Sequence, residues 1–186
     1  VTRDRTVRAD ARANRQRIVE AAAMLYAEVG PDVSFNAIAQ RAGIGNATLY
    51  RHFASHDELR QAVYLARVHE SAVLLTELAA TDDPAAELSR YLTWTFETAD
   101  LSLIGLGMAH GVRSEEVEEE VARVKGLFDD LVRRAHDAGV LGEGLSRTDV
   151  LVAAAALIHV ARHEEVPVER GATFLEVVLR GLGLTE

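Results

Sequence analysis

The sequence contains no cysteine, three prolines and a single lysine in 186 residues. Without cysteine, neither a disulfide framework nor a thiolate metal site is available. With so few prolines the chain keeps long uninterrupted stretches, and the residues that dominate it, Ala, Leu, Val, Arg and Glu, favour helix over sheet. Long hydrophobic runs are also missing. The longest, Val150 to Ile158, is nine residues, well short of the roughly 20 that span a bilayer. The first 17 residues hold six arginines and no apolar stretch, so they do not read as a secretory signal. A soluble, cytoplasmic protein with no membrane partner is the expectation.

What is present is enough to fold: 48% hydrophobic residues supply a core, and 26% charged residues are too few to keep the chain disordered. The formal charge of −9 is unevenly distributed. Residues 1–52 hold eight Arg against five acidic residues, a balance of +3, while the remainder holds twelve basic and 24 acidic residues, a balance of −12. A basic end on an acidic body suits a protein whose one end approaches phosphates while the rest stays clear of them. The expected fold is all-α. Two domains are expected: a three-helix domain over residues 1–53, including a basic arm, and a larger helical domain over residues 54–186.

The arm, Val1 to Ala13, is arginine-rich and aperiodic and is expected to be a flexible tail. From Asn14 the apolar residues Ile18, Ala22, Leu25, Tyr26 and Val29 recur at spacings of three and four, which predicts a helix that Gly30 and Pro31 stop. Ser34 is a good N-cap for a short second helix with Phe35, Ile38, Ala39 and Ala42 inward and Gly43 at its end. A third helix is predicted over residues 46–52, with Leu49 and Phe53 inward. Two short helices joined by a tight glycine turn in a basic domain carry the helix-turn-helix signature. Ala39 is small where the helices cross, Gly43 tolerates a left-handed backbone, and Ile44 plugs the gap between them. Asn46, Ala47, Thr48, Tyr50, Arg51 and His52 then lie on the helix that enters a major groove. Asn46 and Thr48 are base-edge or groove-lining residues, Tyr50 and His52 suit phosphates, and Arg51 suits either. Arg15 and Arg17, on or near the first helix, are further DNA candidates.

Three stretches carry a family resemblance. They are Arg17-Ile18-Val19-Glu20-Ala21-Ala22, then Phe35, Ile38, Ala39, Ala42, Gly43 and Ile44, then Thr48-Leu49-Tyr50-Arg51-His52-Phe53 with Leu59. The first 65 or so residues closely resemble the N-terminal domain of TetR-family repressors. The resemblance implies phosphate contacts from Ser34, Tyr50 and His52. It also marks two departures, Asn36 where many members carry a basic residue and His56 where a lysine commonly meets phosphate. Both positions are kept among the DNA-binding candidates.

Beyond residue 54 a long helix is predicted to about Ala80, with Leu59, Val63, Ala66, Val73 or Leu74, and Leu78 near one face, broken by Thr81 to Pro84. Helices follow over roughly 85–99, 101–110, 115–138, 147–164 and 167–182, with Ser114 and Ser146 as N-caps. Tyr91, Trp94, Phe96, Met108, His110, Phe128 and His159 supply the aromatic, soft and hydrogen-bonding groups that a small-molecule pocket needs. Gly105, Gly107 and Gly111 weaken their helix, so mobility between sensor and DNA-binding module is expected there. The resemblance to the family's sixth helix, which moves on induction, points the same way.

The last two helices carry broad apolar faces, and Leu157, Ala161, Phe174, Val178 and Leu182 are expected at a four-helix homodimer seam. His159 and His163 stand four apart on one helix, but no third ligand can be named, so neither a metal nor a cofactor is expected. The acidic cluster at residues 115–120 is accounted for by a solvated helix start. No Ser/His/Asp order, phosphate loop or HExxH motif is present, and the protein is not expected to be an enzyme. The expected partners are therefore double-stranded operator DNA, an unknown small-molecule effector and a second copy of the chain. The alternatives are a helical small-molecule binder with a weak or vestigial helix-turn-helix, and an activator in place of a repressor.

Overall fold

The computed structural model describes residues 2–30, 32–98, 114–161, 163 and 165–185. Among these residues eight helices and no strand form: α1 (Thr2–Val29), α2 (Phe35–Ala42), α3 (Asn46–His52), α4 (His56–Leu78), α5 (Pro84–Glu97), α6 (Glu115–Asp137), α7 (Arg147–Ala161) and α8 (Val168–Gly181). The chain is all-α. The helix predicted over 101–110, with Gly105, Gly107, Met108 and His110, lies outside the described residues, as does Gly111.

Helix ends follow local chemistry. The Ser34 hydroxyl accepts from the Ala37 amide at 3.3 Å, Ser55 from Glu58 at 3.2 Å, Asp83 from Ala86 at 3.0 Å and Ser114 from Val117 at 3.4 Å. Each bond satisfies an amide that the helix itself leaves unpaired. Ser146 and Asp149 close a capping box: the Asp149 carboxylate accepts from the Ser146 amide at 2.7 Å and from its hydroxyl at 2.6 Å. These bonds hold the Asp149 carboxyl below the usual carboxylate range.

The arm departs from expectation. Residues 2–13 are the first three turns of α1, not a tail. No glycine or proline occurs between residues 2 and 29, and once a helix is nucleated over residues 14–29, adding good helix formers to its end costs little.

Two hydrophobic cores are strung along α4. The first gathers Ile18, Ala22 and Tyr26 of α1, Phe35 and Ile38 of α2, Leu49 and Phe53, and Leu59 and Val63 of α4. The second gathers Leu75 and Leu78 of α4 with Leu88 and Leu92 of α5, Phe128 and Leu131 of α6, Leu157 of α7, and Leu179 and Leu182. Between them Tyr64 and Val68 meet Val117 of α6. The N-terminal core thus draws on α4 as far as Val63, ten residues past the end of the 1–53 segment. One inward expectation fails, since Val29 is 71% exposed; of the alternatives Val73 and Leu74, Val73 is exposed and Leu74 is half-buried against the second core. α1 has already passed the edge of its core at Val29, and α4 buries Ala72 and Leu75 in place of Val73.

One buried ion pair ties the second core together. Glu87 is 1% exposed and receives both terminal nitrogens of Arg134, one at 3.0 Å, and the Thr81 hydroxyl at 2.9 Å. Burial alone would raise its pKa, but the hydrogen bonds and charge of Arg134, with Thr81, outweigh that and hold the carboxyl below its usual range. On the far side of α5, Gly171 of α8 leaves the seat for Phe96; a Cβ there would stand 3.0 Å from the Phe96 Cζ.

Candidate nucleic-acid interface

α2, the turn and α3 are fixed by bonds that leave one face open. Gly43 adopts φ 65° and ψ 37°, a left-handed conformation that lets its amide reach Gln40 O at 3.1 Å and lets the Ile44 amide reach Ala39 O at 3.0 Å. The chain then turns into α3 with Leu49 and Phe53 fully buried. Ser34, Asn36, Asn46, Ala47, Tyr50 and Arg51 are left exposed, and Thr48, His52 and His56 are half-buried. The structure therefore brings these DNA candidates from α2, α3 and the start of α4 onto neighbouring surfaces of one small domain.

Several of them already have partners. The Asn46 Nδ2 donates to Asn36 Oδ1 at 2.9 Å, joining the start of α3 to α2. Arg51 is folded back, its Nε donating to Ala47 O at 3.1 Å and its Nη2 to Thr48 Oγ1 at 3.0 Å. The Phe35 ring lies between Tyr50, with centroids 5.1 Å apart, and His56, at 4.0 Å. Tyr50, read as a phosphate contact, and His56, which stands where the family commonly has a lysine, are thus both braced on a buried side chain. His56 opens α4, whose free amides and dipole favour an anion.

Arg15 and Arg17 have roles within the fold that spacing along the sequence did not reveal. The Arg15 guanidinium lies 4.8 Å from the centroid of the Phe53 ring, a cation–π contact. The Arg17 Nη2 donates to Ala42 O at 2.5 Å and to Gly43 O at 3.4 Å, so it caps the C-terminus of α2. Further along α1, Tyr26 is buried, its hydroxyl has no partner among the described residues, and burial pushes its pKa up to about 12 against the pull of Arg60. This part of the domain is a rigid frame for α3.

A family model described as bacterial regulatory proteins, tetR family, matches residues 18–63. Residues 18–63 thus carry an N-terminal domain of the tetR type. It is 50% identical over 54 residues to an HTH-type transcriptional regulator of Staphylococcus aureus strain USA300, a stretch covering 28% of this chain and 29% of that protein. The match thus spans less than a third of the length of the curated relative. Over nearly the whole chain it is similar to a TetR transcription regulatory protein of Mycobacterium vanbaalenii, with a TM-score of 0.67, 27% identity, and 95% and 98% of the two chains covered. The TetR transcriptional regulator SCO0520 of Streptomyces coelicolor shares the fold, with a TM-score of 0.65, 23% identity, and 90% and 97% covered.

In the larger half of the chain, four of the seven ligand candidates fall in the second core. Tyr91 is buried, with the Trp94 ring stacked at 6.0 Å and the Phe128 ring at 5.5 Å, and its hydroxyl shares a 2.9 Å hydrogen bond with buried Ser71. Burial pushes the Tyr91 pKa up, partly offset by bonds to Ser71 and Thr95. Phe96 is half-buried against α8. His159 is not with them. It is exposed on α7, its ring 5.8 Å from that of His163. Among the described residues no group of three or more His, Asp or Glu is placed to hold a metal, and no helix is long and apolar enough to cross a membrane.

The seam residues also separate. Leu157 is fully buried and Leu182 is 5% exposed, both inside the chain's own second core, while Ala161, Phe174 and Val178 are half-buried. The side left open on α7 and α8 instead carries Leu151, Val152 and Val177, the last two 63% and 58% exposed. A half-open cleft of about 780 Å³ also lies between α1, α4 and the first turns of α6, with Val19 and Ala66 on its walls and Glu116 and Glu119 at its rim. No residue expectation had singled it out.

Proposed function

We propose that the protein is a ligand-responsive transcription regulator that binds palindromic operator DNA as a homodimer and acts as a repressor. The observation that carries this reading is α3, whose polar face stands clear of the protein while Gly43, Arg17 and Arg15 fix its base. The basic balance of residues 1–52 supplies the attraction to phosphate, and the acidic remainder keeps the body off the duplex. The aromatic cluster around Tyr91 supplies apolar faces and one polar pair for a small molecule. An effector held there would favour a spacing of the two heads that no longer fits two successive major grooves.

Selection of binding sites from random duplex DNA, with salt varied, tests the reading. A palindrome is expected to be enriched, with affinity falling steeply as salt rises. No enriched site, or binding indifferent to salt, would sink it. A reporter driven by the cognate promoter should rise when the gene is deleted, and a fall would make the protein an activator.

A further inference from the structure

The first turn of α3 also indicates which base it reads, an inference that rests on the DNA-binding reading above. The N-terminal residues of a recognition helix are the ones that reach base edges. Here they are Asn46, Ala47 and Thr48, and no Arg or Lys is among them. A two-pronged contact to the O6 and N7 of guanine therefore cannot come from this turn. Arg51, the one guanidinium on α3, is turned back onto Ala47 O and Thr48 Oγ1.

Asn46 is the exposed group in this turn that offers both a donor and an acceptor. Its amide does not swing freely, because Nδ2 donates to Asn36 Oδ1 at 2.9 Å across the turn. An amide nitrogen carries two hydrogens. The bond to Asn36 uses one, leaving the other hydrogen and the carbonyl oxygen open on a plane that Asn36 has already oriented. A donor beside an acceptor matches the N7 acceptor and N6 amino group of adenine. We infer that the Asn36–Asn46 pair makes adenine the base read at the start of α3, with Asn46 making the contact and Asn36 acting as its positioning residue. Asn36 stands on exposed surface, so its neutral amide sets the geometry without competing for phosphate as a basic side chain would.

The test runs site selection with the wild type, Asn46→Ala and Asn36→Ala, and then replaces the selected adenine with 7-deazaadenine, which lacks the N7 acceptor. The wild type should prefer adenine roughly tenfold or more at one position in each half-site. Asn46→Ala should keep the palindrome and lose that preference alone. Asn36→Ala should keep the palindrome with the preference weakened severalfold. 7-Deazaadenine should weaken the wild type severalfold and leave Asn46→Ala unaffected. Both side chains are exposed, and matched melting temperatures would show that the variants fold. Adenine preference surviving in Asn46→Ala, or guanine or cytosine selected at every position facing this turn, would overturn the inference; an unchanged preference in Asn36→Ala would remove the positioning role. If the wild type selects no palindrome, the DNA-binding reading fails before any variant is compared.

Discussion

Arg17 shows how far a single residue's role can sit from its place in the sequence. In the sequence it reads as a DNA contact beside Arg15, yet its guanidinium caps α2 through Ala42 O, 25 residues away. Ser34 and Gly43 were legible because a cap and a left-handed turn are decided by neighbours within a few residues. Arg17 was not, because its partner is set by how α1 crosses α2. Replacing Gly43 with Ala would force a Cβ onto φ 65° and bring it to 3.0 Å from Arg17 Nη2. The expected loss is about 1–2 kcal/mol, seen as a lower melting temperature together with weaker operator binding. Glu87 makes the corresponding prediction for the second core. Because its pKa is lowered in the folded state, the stability it contributes is present at neutral pH and is lost as pH falls through and below the usual carboxylate range. Glu87→Gln should cost about 3 kcal/mol at neutral pH, the lower end of the usual cost of breaking a buried pair, since Arg134 keeps Asp130 as a partner. Urea unfolding of the two proteins should converge as pH is lowered. Parallel curves across that range would show that the pair carries no such linkage.

Helices α7 and α8 show what periodicity can and cannot decide. Their apolar faces were visible in the sequence, but a face reads as apolar without saying whether it meets the same chain or another. Leu157 and Leu182 meet their own chain. α7 is apolar around most of its circumference, so once one face is buried, Leu151 and Val152 remain outside, as Val177 does on α8. If two copies pair through these helices, the paired variant Val152→Arg with Val177→Glu should yield a folded monomer with a nearly unchanged unfolding curve, measured by sedimentation. Leu157→Ala should instead destabilise each protomer by about 2–5 kcal/mol. A Val152/Val177 variant that stays dimeric would place the seam elsewhere. α1 teaches a related lesson. Lack of apolar periodicity in residues 2–13 argues against burial but not against helix, since an exposed helix needs only good helix formers and a nucleated neighbour.

At the scale of the whole molecule, α4 runs through both cores, so the two ends cannot be moved independently. Composition showed that the ends differ in charge, and the motif showed what the first one is. Neither revealed the shared helix, because a continuous run of helical residues looks the same whether it serves one core or two. The shared helix has a measurable consequence. If a small molecule held near Tyr91 shifts α4 and so weakens operator binding by some factor, linkage requires that the operator-bound protein hold that molecule more weakly by the same factor. Trp94 is the single tryptophan of the chain and stacks on Tyr91 at 6.0 Å, so its fluorescence reports occupancy directly. A molecule found to release the protein from DNA should be titrated against free protein and against protein saturated with operator. The operator should shift the Trp94 titration to higher ligand concentration by the factor that the ligand imposes on DNA affinity, typically about 5- to 150-fold. Equal titrations with and without DNA would mean that the molecule acts without differential binding between the two states, and the core around Tyr91 would then not be the site through which it works.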